Sequence, residues 1–139
     1  MRSVFADSSY WMAITRHGDP WSAAAHRARA KLGAVQIVTT DEVLAEFLTG
    51  LCGGGPNLRQ QAARIAREIM SNSKVWVIPQ SRESFLDGLK LYELREDKGY
   101  SLADCISMNT MRAESISQTL TTDHHFEQEG FTILMKKGD

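Results

Sequence analysis

Val4-Phe5-Ala6-Asp7-Ser8-Ser9 decides how the rest of the chain is read. Three consecutive apolar residues predict a short buried strand, and Asp7 closes it. Ser8 and Ser9 then open a helix carrying Tyr10, Trp11 and Ile14. A strand that ends on an acid and turns at once into a helix is the opening unit of an α/β sheet.

Working outward, the same alternation recurs. Gly18-Asp19-Pro20 reads as a turn, with Pro20 placed just ahead of an Ala-rich helix over residues 21–32. Gln36-Ile37-Val38 is a second strand, followed by a helix over residues 41–51. Gly53-Gly54-Gly55-Pro56 stops that helix, and another runs over residues 58–70. Val75-Trp76-Val77-Ile78 is a third strand. Helices over 81–96 and 101–113 precede a fourth strand at 116–120 and a fifth at 131–134. Strands alternating with helices call for a mostly parallel sheet covered on both faces, a three-layer α/β/α sandwich. In such sheets, sites form beyond the carboxyl ends of the strands.

Composition sets the outer bounds. The 139 residues are 42% hydrophobic and 24% charged, an ordinary globular mixture sized for one domain over residues 1–139. No apolar run approaches bilayer length, and the acid at Asp7 comes too early for a signal peptide. The expected compartment is the cytoplasm, with no membrane partner. Sixteen basic and 17 acidic residues give a net charge of -1, so bulk charge does not argue for nucleic acid. Any RNA must be drawn by a local basic patch or by bound metal. Cys52 and Cys105 lack metal or disulfide spacing and are expected to be reduced and buried.

Four acids stand out. Asp7 and Asp123 each follow a strand, Asp123 within Leu120-Thr121-Thr122-Asp123. Either could simply cap a helix or turn. Glu46 lies beside the apolar stripe of Val43, Leu44, Phe47 and Leu51, so it should be partly buried and need a partner. Glu42 has a local job instead, because Thr39-x-x-Glu42 has capping-box spacing. Asp104 lies in Ser101-Leu102-Ala103-Asp104, again a capping box, and a capped acid can still bind a cation. Dispersed carboxylates suit Mg²⁺, a hard ion that takes oxygen ligands. Phosphodiester cleavage needs an activated water, a neutralised phosphate and a supported leaving oxygen. One or two divalent ions can supply all three.

The ordered set Val4-Phe5-Ala6-Asp7-Ser8-Ser9, Thr39-Thr40-Asp41-Glu42-Val43-Leu44-Ala45-Glu46-Phe47, Asp97-Lys98-Gly99-Tyr100-Ser101-Leu102-Ala103-Asp104-Cys105 and Leu120-Thr121-Thr122-Asp123-His124-His125-Phe126 resembles PIN-domain ribonucleases. It is most similar to the VapC-like toxins of bacterial toxin–antitoxin pairs, from about residue 3 to residue 134. The resemblance implies an α/β/α sandwich, a Mg²⁺ or Mn²⁺ cofactor and endonuclease action on single-stranded regions of RNA. It also implies a homodimer and a small antitoxin that covers the site. Carried over residue by residue, the catalytic and metal-holding acids are Asp7, Glu46, Asp104 and Asp123. Thr121 or Thr122 matches an assisting hydroxyl. Ser8, Asp97 and Ser101 fall where supporting residues would stand.

Other readings are weighed on the same residues. A PIN-like domain could process or bind RNA without being a toxin. An aspartyl phosphatase would want a second acid where Ser9 stands, and a receiver would want paired acids and a late lysine. The glycine run is no P-loop, because no Gly-Lys-Ser/Thr follows. Adjacent His124 and His125 should diverge rather than share a metal. Arg59, Arg64 and Arg67 could contact phosphate or form a plain solvated face. Trp11, Trp21 and Trp76 are expected in the core or in a dimer contact.

Overall fold

The computed structural model describes residues 1–138. Five strands form one sheet: β1 (Ser3–Ala6), β2 (Gln36–Thr40), β3 (Val75–Ile78), β4 (Gln118–Leu120) and β5 (Thr132–Ile133). Their order is β3-β2-β1-β4-β5, and every pairing is parallel. Consecutive residues Val4, Phe5 and Ala6 are all fully buried, as are Ile37 to Thr40 along β2. Neighbouring strand residues point to opposite faces, so burial of all of them means that both faces are covered. This is the three-layer sandwich that the alternation predicts.

The helices are α1 (Ser8–Thr15), α2 (Ser22–Leu32), α3 (Asp41–Leu51), α4 (Pro56–Ser71), α5 (Arg82–Leu94), α6 (Leu102–Ala113) and α7 (His125–Gln128). One core cluster links β1 and β2 to Trp11, Phe47, Met108, Met111, Leu120 and Phe126. No described helix is long and apolar enough to cross a membrane. Gly88 lets α5 lie close on α6, because a Cβ there would meet Ile106 Cγ1 at 2.5 Å. Gly55 sits at φ +94° ahead of Pro56, a backbone region that favours glycine, and so starts α4 two residues before the predicted Leu58.

Several expectations are corrected. Thr40, not Thr39, caps α3, accepting from the Val43 N–H. Thr39 is turned into the core, where its hydroxyl donates to the Ala6 carbonyl and accepts from the Trp11 indole. Glu42 is therefore not tied into a Thr39 box. Cys105 is buried but Cys52 is exposed, because α3 leaves the core at Leu51. Trp76 stands on edge strand β3 and is 45% exposed, so it is no core residue. Trp11 is in the core, whereas Trp21 packs at its margin under the Lys137 ammonium.

An acid cluster at the sheet's switch point

The chain leaves β1 toward β2 and β3, then returns to the other side of β1 to lay down β4 and β5. The carboxyl ends of β1 and β4 flank this reversal, where parallel sheets open a crevice. Register pairs Ala6 with Leu120, which places Asp7 beside Thr121. The Asp7 N–H donates to the Leu120 carbonyl, so the two strand ends are stitched together at the site.

Asp7 occupies the N-cap position of α1, but its side chain makes no cap hydrogen bond. It turns instead into the crevice, 5% exposed, and its Oδ2 accepts from the Thr121 hydroxyl at 2.8 Å. Thr121 in turn meets the Ser9 hydroxyl at 3.2 Å and accepts from the Asp123 N–H. Thr122 contributes its backbone N–H to Ser9 Oγ. Of the two candidate threonines, Thr121 is the one whose hydroxyl touches an acid.

Glu46 is half-buried on α3, as its place beside the apolar stripe requires, and accepts from the Ser8 hydroxyl at 3.2 Å. Asp104 is held by the reciprocal box predicted from Ser101-x-x-Asp104. Its N–H donates to Ser101 Oγ, and its Oδ2 accepts from the Ser101 N–H. Asp123 accepts from the His125 N–H at the start of α7. Asp97 lies exposed in the turn between α5 and α6 and makes no hydrogen bond within the cluster.

Electrostatics binds the four acids into one unit. Burial pushes the Asp7 carboxyl up to about 7, against hydrogen bonds from Thr121 and the Ser8 backbone. The negative charges of Glu46 and Asp104 push the same way. Glu46 is raised by burial first, then by Asp104, against its Ser8 hydrogen bond, and finally by Asp123. Among the described residues no lysine or arginine pairs with any of the four. The basic side chain that reaches the cluster is His125, whose Nδ1 lies 3.1 Å from Asp104 Oδ2 and 3.4 Å from Asp123 Oδ1.

Like charges gathered out of water without a cation are costly, and a divalent ion is the natural remedy. The donor set fits one: carboxylate oxygens of Asp104 and Asp123 lie within 4.8 Å of each other, with a His125 ring nitrogen beside them. Asp7 and Glu46 add oxygens close enough to couple electrostatically. Hard carboxylate oxygens suit Mg²⁺ or Mn²⁺, and no thiol belongs to the group.

Sequence reasoning set His125 aside with His124 and passed over Tyr100 and Glu129 as contributors to the site. His124 turns outward to Glu127, while His125 turns in toward the acids. The two rings diverge as adjacent residues should, yet one of them still reaches the site. No local spacing announces Tyr100 or Glu129, which meet across 29 positions of sequence.

Arg59 donates to the Cys52 carbonyl and so closes the loop before α4. Arg64 and Arg67 are exposed on the outer face of that helix.

Fold and site together define a parallel α/β domain with a carboxylate cluster at its switch point. The PIN domain profile matches residues 4–131, and the chain belongs to that family. It is 28% identical over 131 residues to a protein named 23S rRNA-specific endonuclease VapC20, found in two strains of Mycobacterium tuberculosis. That match covers 92% of this chain and 95% of the relative. The crystal structure of M. tuberculosis VapC20, titled a sarcin-ricin loop cleaving toxin, superposes with a TM-score of 0.82 at 27% identity. It covers 96% of this chain and 99% of that one.

Proposed function

We propose that this chain is a divalent-metal-dependent endoribonuclease and the toxin of a toxin–antitoxin pair. One observation carries the reading: carboxylates from four separate segments converge at the switch point, and among the described residues no lysine or arginine pairs with them. Asp7, Glu46, Asp104 and Asp123 are the residues that would hold Mg²⁺ or Mn²⁺. Such an ion, when bound, neutralises a scissile phosphate and makes water a nucleophile near neutral pH.

The chain's own groups prepare that site. The Thr121 hydroxyl and the Ser8 backbone N–H hold the Asp7 carboxyl in place. Ser8 sets the rotamer of Glu46, and the Ser101 box anchors Asp104 at the N-terminus of α6. The first N–H groups of α6 favour a negative charge there. The acids that crowd the crevice also repel an RNA phosphate until a cation is present, so substrate and ion should load together.

The RNA substrate follows by likeness from the VapC20 relatives: a single-stranded loop of 23S rRNA of the sarcin-ricin type. The antitoxin and a second copy of the chain are the proposed partners, and the cytoplasm is the proposed compartment. The α5 face supports a protein partner, with Phe85, Leu86, Leu89, Tyr92 and Leu94 all exposed. A groove bounded by Phe85, Leu102 and Ile106 runs from that face to Glu46, so a helix laid in it would cover the acids.

Purified protein incubated with ribosomes, with total RNA and with an isolated sarcin-ricin hairpin tests the activity, in Mg²⁺ or Mn²⁺ against EDTA. Metal-dependent cuts are the expected result. Growth arrest on expression, relieved by Asp104→Asn, is expected of a toxin. Cuts without growth arrest would favour an RNA-processing role, and RNA binding without cuts would contradict the enzyme reading.

A further inference from the structure

A second buried constellation stands directly behind the acids. Glu129, with a 5% exposed side chain, receives Arg95 Nε at 2.8 Å, Arg112 at 2.6 Å and the Tyr100 hydroxyl at 2.9 Å. Tyr100 is itself 4% exposed, and its ring lies tilted against the His125 ring, centroids 5.1 Å apart. The far edge of that imidazole carries Nδ1 to Asp104 Oδ2 and Asp123 Oδ1. A continuous line of contact therefore runs from the ends of α5 and α6, through Glu129, Tyr100 and His125, to an acid of the site.

The geometry fixes which role His125 plays. A bare Nδ1 lone pair would face carboxylate lone pairs at 3.1 and 3.4 Å, an arrangement with repulsion and no bond. With its proton on Nδ1, the ring donates to Asp104 Oδ2, which also accepts from the Ser101 N–H. That oxygen then has two donors, and among the described residues Asp104 Oδ1 has none. Two donors on one oxygen orient the carboxylate so that the other oxygen is presented to the crevice. The same nitrogen cannot donate to Asp104 and also ligate an ion.

We propose that His125 is a positioning residue whose Nδ1–H aims the Asp104 carboxylate, and that Tyr100, pinned by Glu129, holds the imidazole in place. This rests on the reading of Asp104 as an acid of the nuclease site. Partners that orient a ligating carboxylate typically matter by 10–100-fold in ion affinity or activity.

Two readouts test it. Long-range ¹H–¹⁵N spectra of the metal-free protein at alkaline pH report the His125 tautomer. A proton on Nδ1 is expected, and an Nε2–H tautomer overturns the proposal whether or not the protein cuts RNA. Calorimetric titration with Mn²⁺ then compares variants. His125→Ala should weaken binding roughly tenfold. His125→Asn, which keeps an N–H near the Nδ1 position, should stay within about threefold of the parent. Tyr100→Phe keeps the ring contact but loses the Glu129 hydrogen bond, and should fall between them. On the hairpin RNA, His125→Ala should lower kcat with little change in KM. Unchanged Mn²⁺ affinity in His125→Ala contradicts the proposal, and so do equal losses in the Ala and Asn variants. Failure of the parent to bind Mn²⁺ counts against the nuclease reading, while the tautomer still decides the role of His125.

Discussion

A single buried carboxylate, Glu129, and the cluster of acids around Asp7 lie on opposite sides of the Tyr100–His125 contact, and they answer the same electrostatic problem in opposite ways. At Glu129, desolvation pushes the carboxyl up, but hydrogen bonds from Arg95, Arg112 and Tyr100 outweigh it and hold the group at about 2. At Asp7, desolvation also pushes up, the hydrogen bonds from Thr121 and Ser8 do not offset it, and neighbouring acids add to it. Its carboxyl reaches about 7. The first group is complete within the chain and has the character of a structural anchor. The second is short of positive charge, the deficit that the proposed ion would fill.

The largest expected difference between them is in activity. Asp104→Asn should lower RNA cleavage by at least about a hundredfold, because a neutral amide gives less attraction to a cation and to the charge it neutralises. The fold should survive with at most a small drop in melting temperature, since relief of like-charge repulsion offsets the weakened cap at the start of α6. Cleavage assays beside thermal melts check both. A variant that is active, or inactive only because it is unfolded, would break the comparison.

Glu129→Gln should do the reverse to stability. It leaves two guanidinium groups beside a neutral side chain, and melting should drop by roughly 5–10 °C. Mn²⁺ affinity should change far less than in Asp104→Asn. Arg95 and Arg112 keep contact with solvent, so the loss should stay below that of a fully buried pair.

The pH dependence sharpens the contrast, with smaller effects. Folded Asp7 holds its proton more tightly than the unfolded chain does. Between its ordinary value of 3.8 and about 7, the metal-free folded state therefore carries more protons. Its contribution is full below that window and is lost as pH rises through about 7. Glu129 runs the other way: its contribution is full above 4.5 and is lost as pH falls toward about 2. Melts in EDTA should show Asp7→Asn flattening the decline toward pH 7, and Glu129→Gln flattening the loss at acid pH. An unchanged profile in Asp7→Asn would remove the basis for calling the site charge-deficient.

The same contrast explains what could be read from sequence. Asp7 and Asp123 were visible because each ends a strand, and parallel sheets place sites there. Ser101 and Asp104 were visible because a capping box is a local pattern, and both of its hydrogen bonds form. The Thr39 box failed by one residue. A spacing rule does not see that Thr39 is drawn inward by the Ala6 carbonyl and the Trp11 indole, which leaves capping to Thr40. The Glu129 anchor was invisible for a stronger reason. Arg95, Tyr100, Arg112 and Glu129 share no period or motif, and only the packing of α5, α6 and α7 brings them together. Trp76 could not be placed between core and surface contact, because a β-type run rich in apolar residues does not say whether its strand is central or at an edge.

Calorimetric titration of metal-free protein with Mn²⁺ at pH 7, in buffers of differing ionisation enthalpy, tests the central claim most directly. Burial holds the Asp7 carboxyl well above the ordinary carboxylate range, so ion binding near neutral pH should release protons from Asp7. Asp7→Asn should bind more weakly and lose that release. Absence of binding, or binding by Asp7→Asn as tight and with the same proton release, would contradict the account.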